Sequence, residues 1–400
     1  MSFGHHKVES RRILLREIAQ HGPMPRIELA AHTGISRATV TAVTSDLLRG
    51  GLILEEPSES PSKAPIRGRP RIDLKIRGAA HLVAGLKVSD TSISLVLMDF
   101  EGNQIADYEC QMDQIRQPAS ILADEIAKGL TALTARAGKK LTDLSGVGVG
   151  ISGVVDADNG LVYWSPSLDQ RNVGLGKILT DRLEVPAYVD NDANLVAMAE
   201  LTFGKGKDHS DFIVITIESG VGMGMVLGGQ IYRGTRGCGA EFGHTKVHLE
   251  GALCRCGQRG CLEAYVADYA LVREANSVGA VNLNTPTSQA VKTILSAARS
   301  GDITAQRVVE RAGRMFAMGL ANLVNIFDPE LVILAGEQIE FDHLYADVVI
   351  EEMRKSIVEI DKPAPEVVVH KWDNLMWARG AAAYALEFVH NMAVEALDDA

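Results

Sequence analysis

Three of the five cysteines in this 400-residue chain fall within eight positions, in Cys254-Arg255-Cys256-Gly257-Gln258-Arg259-Gly260-Cys261, and His244 lies shortly upstream. Thiolate and imidazole are donors that suit zinc, and four of them close a tetrahedral site with no position left for water. His244, Cys254, Cys256 and Cys261 therefore predict a structural rather than a catalytic zinc. Gly257 and Gly260 suit the reversal between Cys256 and Cys261, because glycine tolerates positive φ. Zinc contributes on the order of 10–16 kcal/mol in small zinc peptides near neutral pH, enough to order an otherwise irregular loop.

Cys110 and Cys238 have no evident partners, so the cysteines do not read as a disulfide framework and a reducing cytoplasm is expected. The opening Met-Ser-Phe-Gly-His-His lacks the charged-then-apolar pattern of a signal peptide. The apolar run from Phe212 to Val226 is interrupted by Glu218 and several glycines, and reads as buried strands rather than a membrane span. Charge is uneven. Residues 1–75 hold 12 Lys+Arg against 8 Asp+Glu, and the rest holds 28 against 43. A basic head on an acidic body predicts that the head meets a polyanion.

The head, residues 1–78, carries a helix-turn-helix pattern. Ile13, Leu14 and Ile18 recur at helical spacing, and Pro25 opens a second helix. Thr33-Gly34-Ile35 is a turn, and Ser36 is placed to cap a third helix. That helix lines Val40, Val43, Leu47 and Leu48 on one face. Its other face is expected to read double-stranded DNA in the major groove through Ser36, Arg37, Thr39, Thr41, Thr44 and Ser45. Leu52-Ile53-Leu54 and the proline-rich stretch from Glu55 to Arg71 read as a β-wing. Arg67, Arg69 and Arg71 are its minor-groove candidates.

Beyond residue 78, strands and helices alternate, predicting two α/β subdomains facing a cleft. The first covers 79–190 and is completed by a C-terminal helix, 375–400; the second covers 191–374 and includes the zinc cluster. Three stretches make the pattern specific: Asn191-Asp192-Ala193-Asn194, Gly239-Ala240-Glu241-Phe242-Gly243-His244, and Cys254-x-Cys256-Gly257-x-x-Gly260-Cys261-Leu262-Glu263. With them the chain resembles the ROK family of repressors, open reading frames and sugar kinases. The likeness is greatest to its repressor branch, which joins a winged helix-turn-helix to a body of two actin-like (ribonuclease H-like) α/β subdomains.

The resemblance implies a sugar or sugar-phosphate effector and hydroxyl-binding roles for Gly153, Asn191, Asp192, Glu241, His244 and Glu263. Asp192 matches the catalytic base of the kinase branch. The nucleotide loops depart from the family. Its Asp-x-Gly-Gly-Thr reads Lys87-Val88-Ser89-Asp90-Thr91, its Gly-Thr-Gly reads Glu218-Ser219-Gly220, and the adenosine segment reads Ala335-Gly336-Glu337. A nucleotide loop needs glycines and close backbone N–H groups; here both glycines of the first loop are lost and Asp90 and Glu218 add negative charge where phosphates would sit, so an enzyme is not expected. Lys87 is the candidate for the phosphate of a sugar 6-phosphate. Ser152 and Ser167 stand where the family often has Pro and Asn, which leaves the sugar's identity open. The chain reads as a sugar-responsive repressor, a homodimer or homotetramer on a palindromic operator. A sugar kinase that keeps ATP turnover, and a regulator whose body binds a protein partner, remain the alternatives.

Overall fold

Three helices open the chain: α1 (Phe3–His21), α2 (Arg26–Thr33) and α3 (Arg37–Arg49). The computed structural model describes residues 3–58, 71–217, 220–279, 285–335 and 347–398. Gly34, at φ 68°, ends α2 in the left-handed region that favours glycine. The Ser36 hydroxyl accepts from the Thr39 N–H at 3.2 Å and caps α3. Leu14, Leu15 and Ile18 of α1 pack with Leu29 of α2 and with Val40, Val43 and Leu47 of α3, all buried. Ile13, expected inward, is 39% exposed, and Leu15 fills that place. β1 (Ile53–Pro57) pairs antiparallel with β2 (Ile72–Ile76), and Met24 exchanges backbone hydrogen bonds with Leu74. The head is a winged helix. Arg67 and Arg69 lie outside the described residues.

The body's first sheet begins with a meander: β3 (Leu82–Val88), β4 (Ser92–Asp99) and β5 (Gln104–Gln111). α4 (Ala119–Arg136) buries Leu122, Ile126, Leu130 and Leu133, spaced to form one apolar stripe. β6 (Gly146–Ile151), the short hairpin β7 (Val154–Asp156) and β8 (Leu161–Trp164), α5 (Leu175–Leu183) and β9 (Ala187–Asn191) follow. The strand order is β5-β4-β3-β6-β9, with β3, β6 and β9 parallel.

The second unit, Ala193–Met376, repeats this plan. α6 (Asp192–Phe203) leads into β10 (Phe212–Ile217), β11 (Val221–Leu227) and β12 (Gln230–Ile231). The zinc-type loop precedes α7 (Glu263–Val266), α8 (Asp268–Ser277) and α9 (Thr287–Arg299). α10 (Ile303–Phe327) is capped by Asp302, whose carboxylate accepts from the Ala305 N–H at 2.8 Å. β13 (Leu331–Ala335), α11 (Asp347–Arg354) and β14 (Glu366–Val369) complete the unit. Its sheet runs β12-β11-β10-β13-β14, again a meander flanked by two parallel strands.

α12 (Met376–Ala396) returns to the first unit, which comprises Met1–Asp192 and Trp377–Ala400. It lies directly on that unit's sheet. A β-carbon on Gly85 or Gly148 would collide with the backbone of Ala378, Ala381 or Ala382. Farther along, the His390 Nε2–H donates to the Phe100 carbonyl at 3.1 Å, and the two rings meet edge to face at 4.4 Å. Burial, with some repulsion from His81 and Arg16, lowers the His390 pKa to about 4. The unfolded chain's histidine titrates near 6.5, so between these values the unfolded state binds the extra proton. Stability is therefore expected to fall as pH drops from about 6.5 to about 4, by on the order of 3 kcal/mol, and to level off below. Urea titrations at stepped pH check this; His390→Gln should flatten that segment, and an unchanged slope would assign it to other groups.

Candidate functional site

The loop between β12 and α7 brings the four zinc-type donors together. His244 ends a single 3₁₀ turn, Phe242–His244, and its Nδ1 faces Cys254 Sγ at 3.8 Å. Cys256 Sγ and Cys261 Sγ are 3.7 Å apart, and all four donor atoms lie within 4.8 Å of one another. A tetrahedral zinc with Zn–S of about 2.3 Å and Zn–N of about 2.0–2.1 Å has donor–donor edges of roughly 3.6–3.8 Å. The donor set and its spacing fit zinc. Backbone bonds shape the loop: Cys254 N–H to Gln258 O at 2.8 Å, and Gly257 N–H to Cys254 O at 3.0 Å. Gly260 sits at φ 76°, and a β-carbon there would strike the His248 carbonyl.

The surroundings suit a bound dication. Burial, with the Glu263 carboxylate beside it, pushes the Cys254 thiol up to about 12, and a coordinated cation relieves that penalty on the thiolate. Three thiolates and a neutral imidazole leave zinc one negative charge in excess. Lys246 Nζ, donating to Cys261 Sγ at 3.0 Å, offsets it. With Nδ1 turned to the sulfurs, the His244 Nε2 lies 4.0 Å from Glu241 Oε2. Coordination at one ring nitrogen places the proton on the other, making Nε2–H a donor on the Glu241 side. Glu263 opens α7, where its Oε1 accepts from the Tyr269 hydroxyl at 3.2 Å. Lys246 and Tyr269 carry no motif signal of their own; only the folded loop identifies them.

In the first unit, Gly153, Asn191 and Asp192 converge where the parallel strands β6 and β9 end, a common place for ligands. Asn191 Nδ2 donates to the Gly153 carbonyl at 2.7 Å, and the Ser152 hydroxyl donates to Asp192 Oδ2 at 2.6 Å. Gly153 has φ 124°, and a β-carbon there would overlap the Trp164 carbonyl. Ser152 was not among the expected site residues, yet it orients the carboxylate. Asp192 also opens α6, where the helix dipole favours a negative charge.

Lys87 is not on the surface. It is 7% exposed, and its Nζ lies 3.6 Å from the centroid of the Trp377 ring. The neighbouring family-loop positions form a tight β3–β4 turn closed by Ser89 N–H to Ser92 O at 2.9 Å, with Asp90 exposed at its tip. Glu218, Ser219, Gly336 and Glu337 lie outside the described residues.

On the head, Ser36, Arg37, Thr39, Thr41 and Ser45 are exposed on α3. Thr44 is not a groove residue: it is fully buried, and its hydroxyl accepts from Arg26 Nε at 3.0 Å. Arg71 is also engaged within the head, paired with Glu28 and 3.6 Å from Asp73. It braces the wing base against α2.

The MarR family profile matches residues 12–60. The xylose repressor of Bacillus subtilis (strain 168) is 28% identical over 337 residues, covering 84% of this chain and 83% of that protein. The DNA-binding transcriptional dual regulator NagC of Escherichia coli (strain K12) is 30% identical over 335 residues, covering 82% and 80%. The crystal structure of a ROK family transcriptional regulator, a homolog of the E. coli MLC protein, superposes with a TM-score of 0.79 over 97% of this chain and 99% of its own, at 23% identity. Among the described residues no helix is long and apolar enough to cross a membrane. The ROK family profile itself matches residues 83–387, well over half the chain, and the protein belongs to the ROK family.

Proposed function

We propose that this protein is a zinc-containing, sugar-responsive transcriptional regulator that represses carbohydrate-utilisation genes from a palindromic operator as a homodimer or homotetramer. One observation carries the reading. A winged helix with an exposed α3 face shares its chain with Asn191 and Asp192 at strand ends and with Glu241, His244 and Glu263 at a zinc-type loop. Vicinal hydroxyls donate to such carboxylates, often two at once. The zinc is structural: it fixes the ring of His244 and the start of α7, while this chain's own side chains meet the sugar. Xylose, named by the Bacillus subtilis repressor, and N-acetylglucosamine, named by the N-acetylglucosamine repressor of Escherichia coli O157:H7, equally similar at 30% identity, are the first effectors to try.

The body does not phosphorylate. Lys87 stands where a kinase of this family has an acidic residue, and Asp90 is an exposed negative charge at the turn. A thermal-shift series with free sugars, their 6-phosphates and ATP tests the whole reading. A sugar should raise Tm by mass action and ATP should not; ATP turnover lost on Asp192→Asn would favour the kinase. Lys87 is the proposed contact for a sugar 6-phosphate, so Lys87→Ala should erase any preference for the phosphate.

Arg37→Ala is expected to weaken binding to a selected DNA duplex by about 1–3 kcal/mol, roughly 5- to 150-fold, and to leave the sugar-induced shift intact. Loss of both together would mean that the substitution acts through folding.

A further inference from the structure

α12 touches both ends of the first unit. At its start, Trp377 lies on Lys87 of β3. In register across the sheet from Lys87 come Gly150 of β6 and then Asp190 of β9, so no side chain intervenes in that row; Asn191 and Asp192 follow directly. The helix then runs 21 residues, about 31 Å at 1.5 Å per residue. Ala378, Ala381 and Ala382 press backbone to backbone on Gly85 and Gly148, which bars an independent slide over the sheet.

The far end is built into the head. Arg11 of α1 is 3% exposed and is bound by two carboxylates: Asp46 of α3 at 2.9 Å, and Asp398 just beyond α12. A buried guanidinium is costly unless paired, and Asp398 supplies one of the two carboxylates on Arg11. Leu397 fills the space beside Gly50, immediately after α3, so closely that a β-carbon there would collide with it. Arg12 pairs with Glu395, and Arg16 lies 4.0 Å from Glu387.

We propose that α12 is the strut through which effector binding in the body repositions the DNA-reading helix α3, and that the Arg11–Asp46–Asp398 cluster with Leu397 on Gly50 is its coupling. The proposal rests on the sugar-responsive reading above. A ligand at Asn191 and Asp192 acts on the sheet row that ends at Lys87 and Trp377, and a rigid helix carries the displacement to the buried Arg11 guanidinium, which Asp46 of α3 and Asp398 both bind.

The test uses the full zinc-loaded protein and a DNA duplex selected from a random pool. Affinity is measured with and without the sugar that raises Tm. In the wild type the sugar should change DNA affinity by a factor of roughly 5–150. In Leu397→Ala/Asp398→Asn the sugar-induced Tm shift should remain while that factor falls below about 2. An unchanged factor overturns the strut. If no sugar alters DNA binding by the wild type, the sugar reading falls, and the strut is judged by amide hydrogen exchange alone. Trp377→Leu, at one end, should speed exchange in α1 and α3 at the other by roughly tenfold or more, and Trp377→Phe should restore protection. Exchange unchanged by Trp377→Leu, in a variant with normal zinc content and circular dichroism, overturns the proposal without reference to any sugar.

Discussion

Cys261→Ser is expected to strip zinc from the chain and to lower the melting temperature of the Ala193–Met376 unit by at least about 10 °C. Cys261 is fully buried, accepts a hydrogen bond from Lys246 Nζ, and adjoins the start of α7. Structural zinc contributes on the order of 10 kcal/mol in small zinc domains, comparable to the whole folding margin of a domain, about 5–15 kcal/mol. About 1 kcal/mol moves Tm by roughly 2–4 °C at this size, so even a third of that contribution is readily seen. Metal analysis and scanning calorimetry, with and without chelator, make the check. Loss of zinc with an unchanged Tm would remove the structural role. His244 and Glu263 depend on the same loop, so sugar binding should go with the metal.

Glu200→Ala is expected to cost about 3–5 kcal/mol, since it takes one acceptor from several buried hydrogen bonds, each costing about 1–3 kcal/mol when its partner is lost. Glu200 is completely buried in the otherwise apolar α6. Its Oε1 accepts from Trp372 Nε1 at 2.5 Å and His370 Nδ1 at 2.7 Å, and its Oε2 from the Lys205 N–H at 2.8 Å. Gly204 is glycine because a β-carbon would strike this carboxylate. Alanine would remove the acceptor of these three hydrogen bonds, whereas Glu200→Gln keeps an acceptor and should cost less, about 1–3 kcal/mol. Urea unfolding ranks the two variants. A glutamine variant as unstable as alanine would mean that shape, not hydrogen bonding, holds the cluster.

Features built from near neighbours in sequence were legible. The zinc donors were, because three of them lie in one turn-rich segment. So were the three helices of the head, whose apolar spacing and Ser36 cap are local. Thr44 shows the limit of reading residue type over position. The spacing of Val40, Val43 and Leu47 already put position 44 on the buried stripe, but a hydroxyl suggested the groove; Arg26 supplies the hydrogen bond that lets it stay inside. The pairing of Arg71 with Glu28 is not legible either, because that partner lies on another helix. That Lys87 lies against Trp377 is not legible, because nothing near either residue in sequence announces the other.

By itself the sequence determined the elements, the donor set at residues 244–261, the basic head and the family stretches around Asn191 and Glu241, since each depends on spacing within a few helical turns or on residue chemistry. Only the tertiary structure decided that both sheets share one strand order, that Ser152 and Tyr269 orient the carboxylates, that Glu200 is sealed inside the second unit, and that α12 joins Lys87 to Arg11. Those outcomes depend on pairings between distant segments, which arise only once apolar burial has brought the strands and helices together; a glycine at 85 or 148 then matters because a helix backbone lies where its side chain would have been.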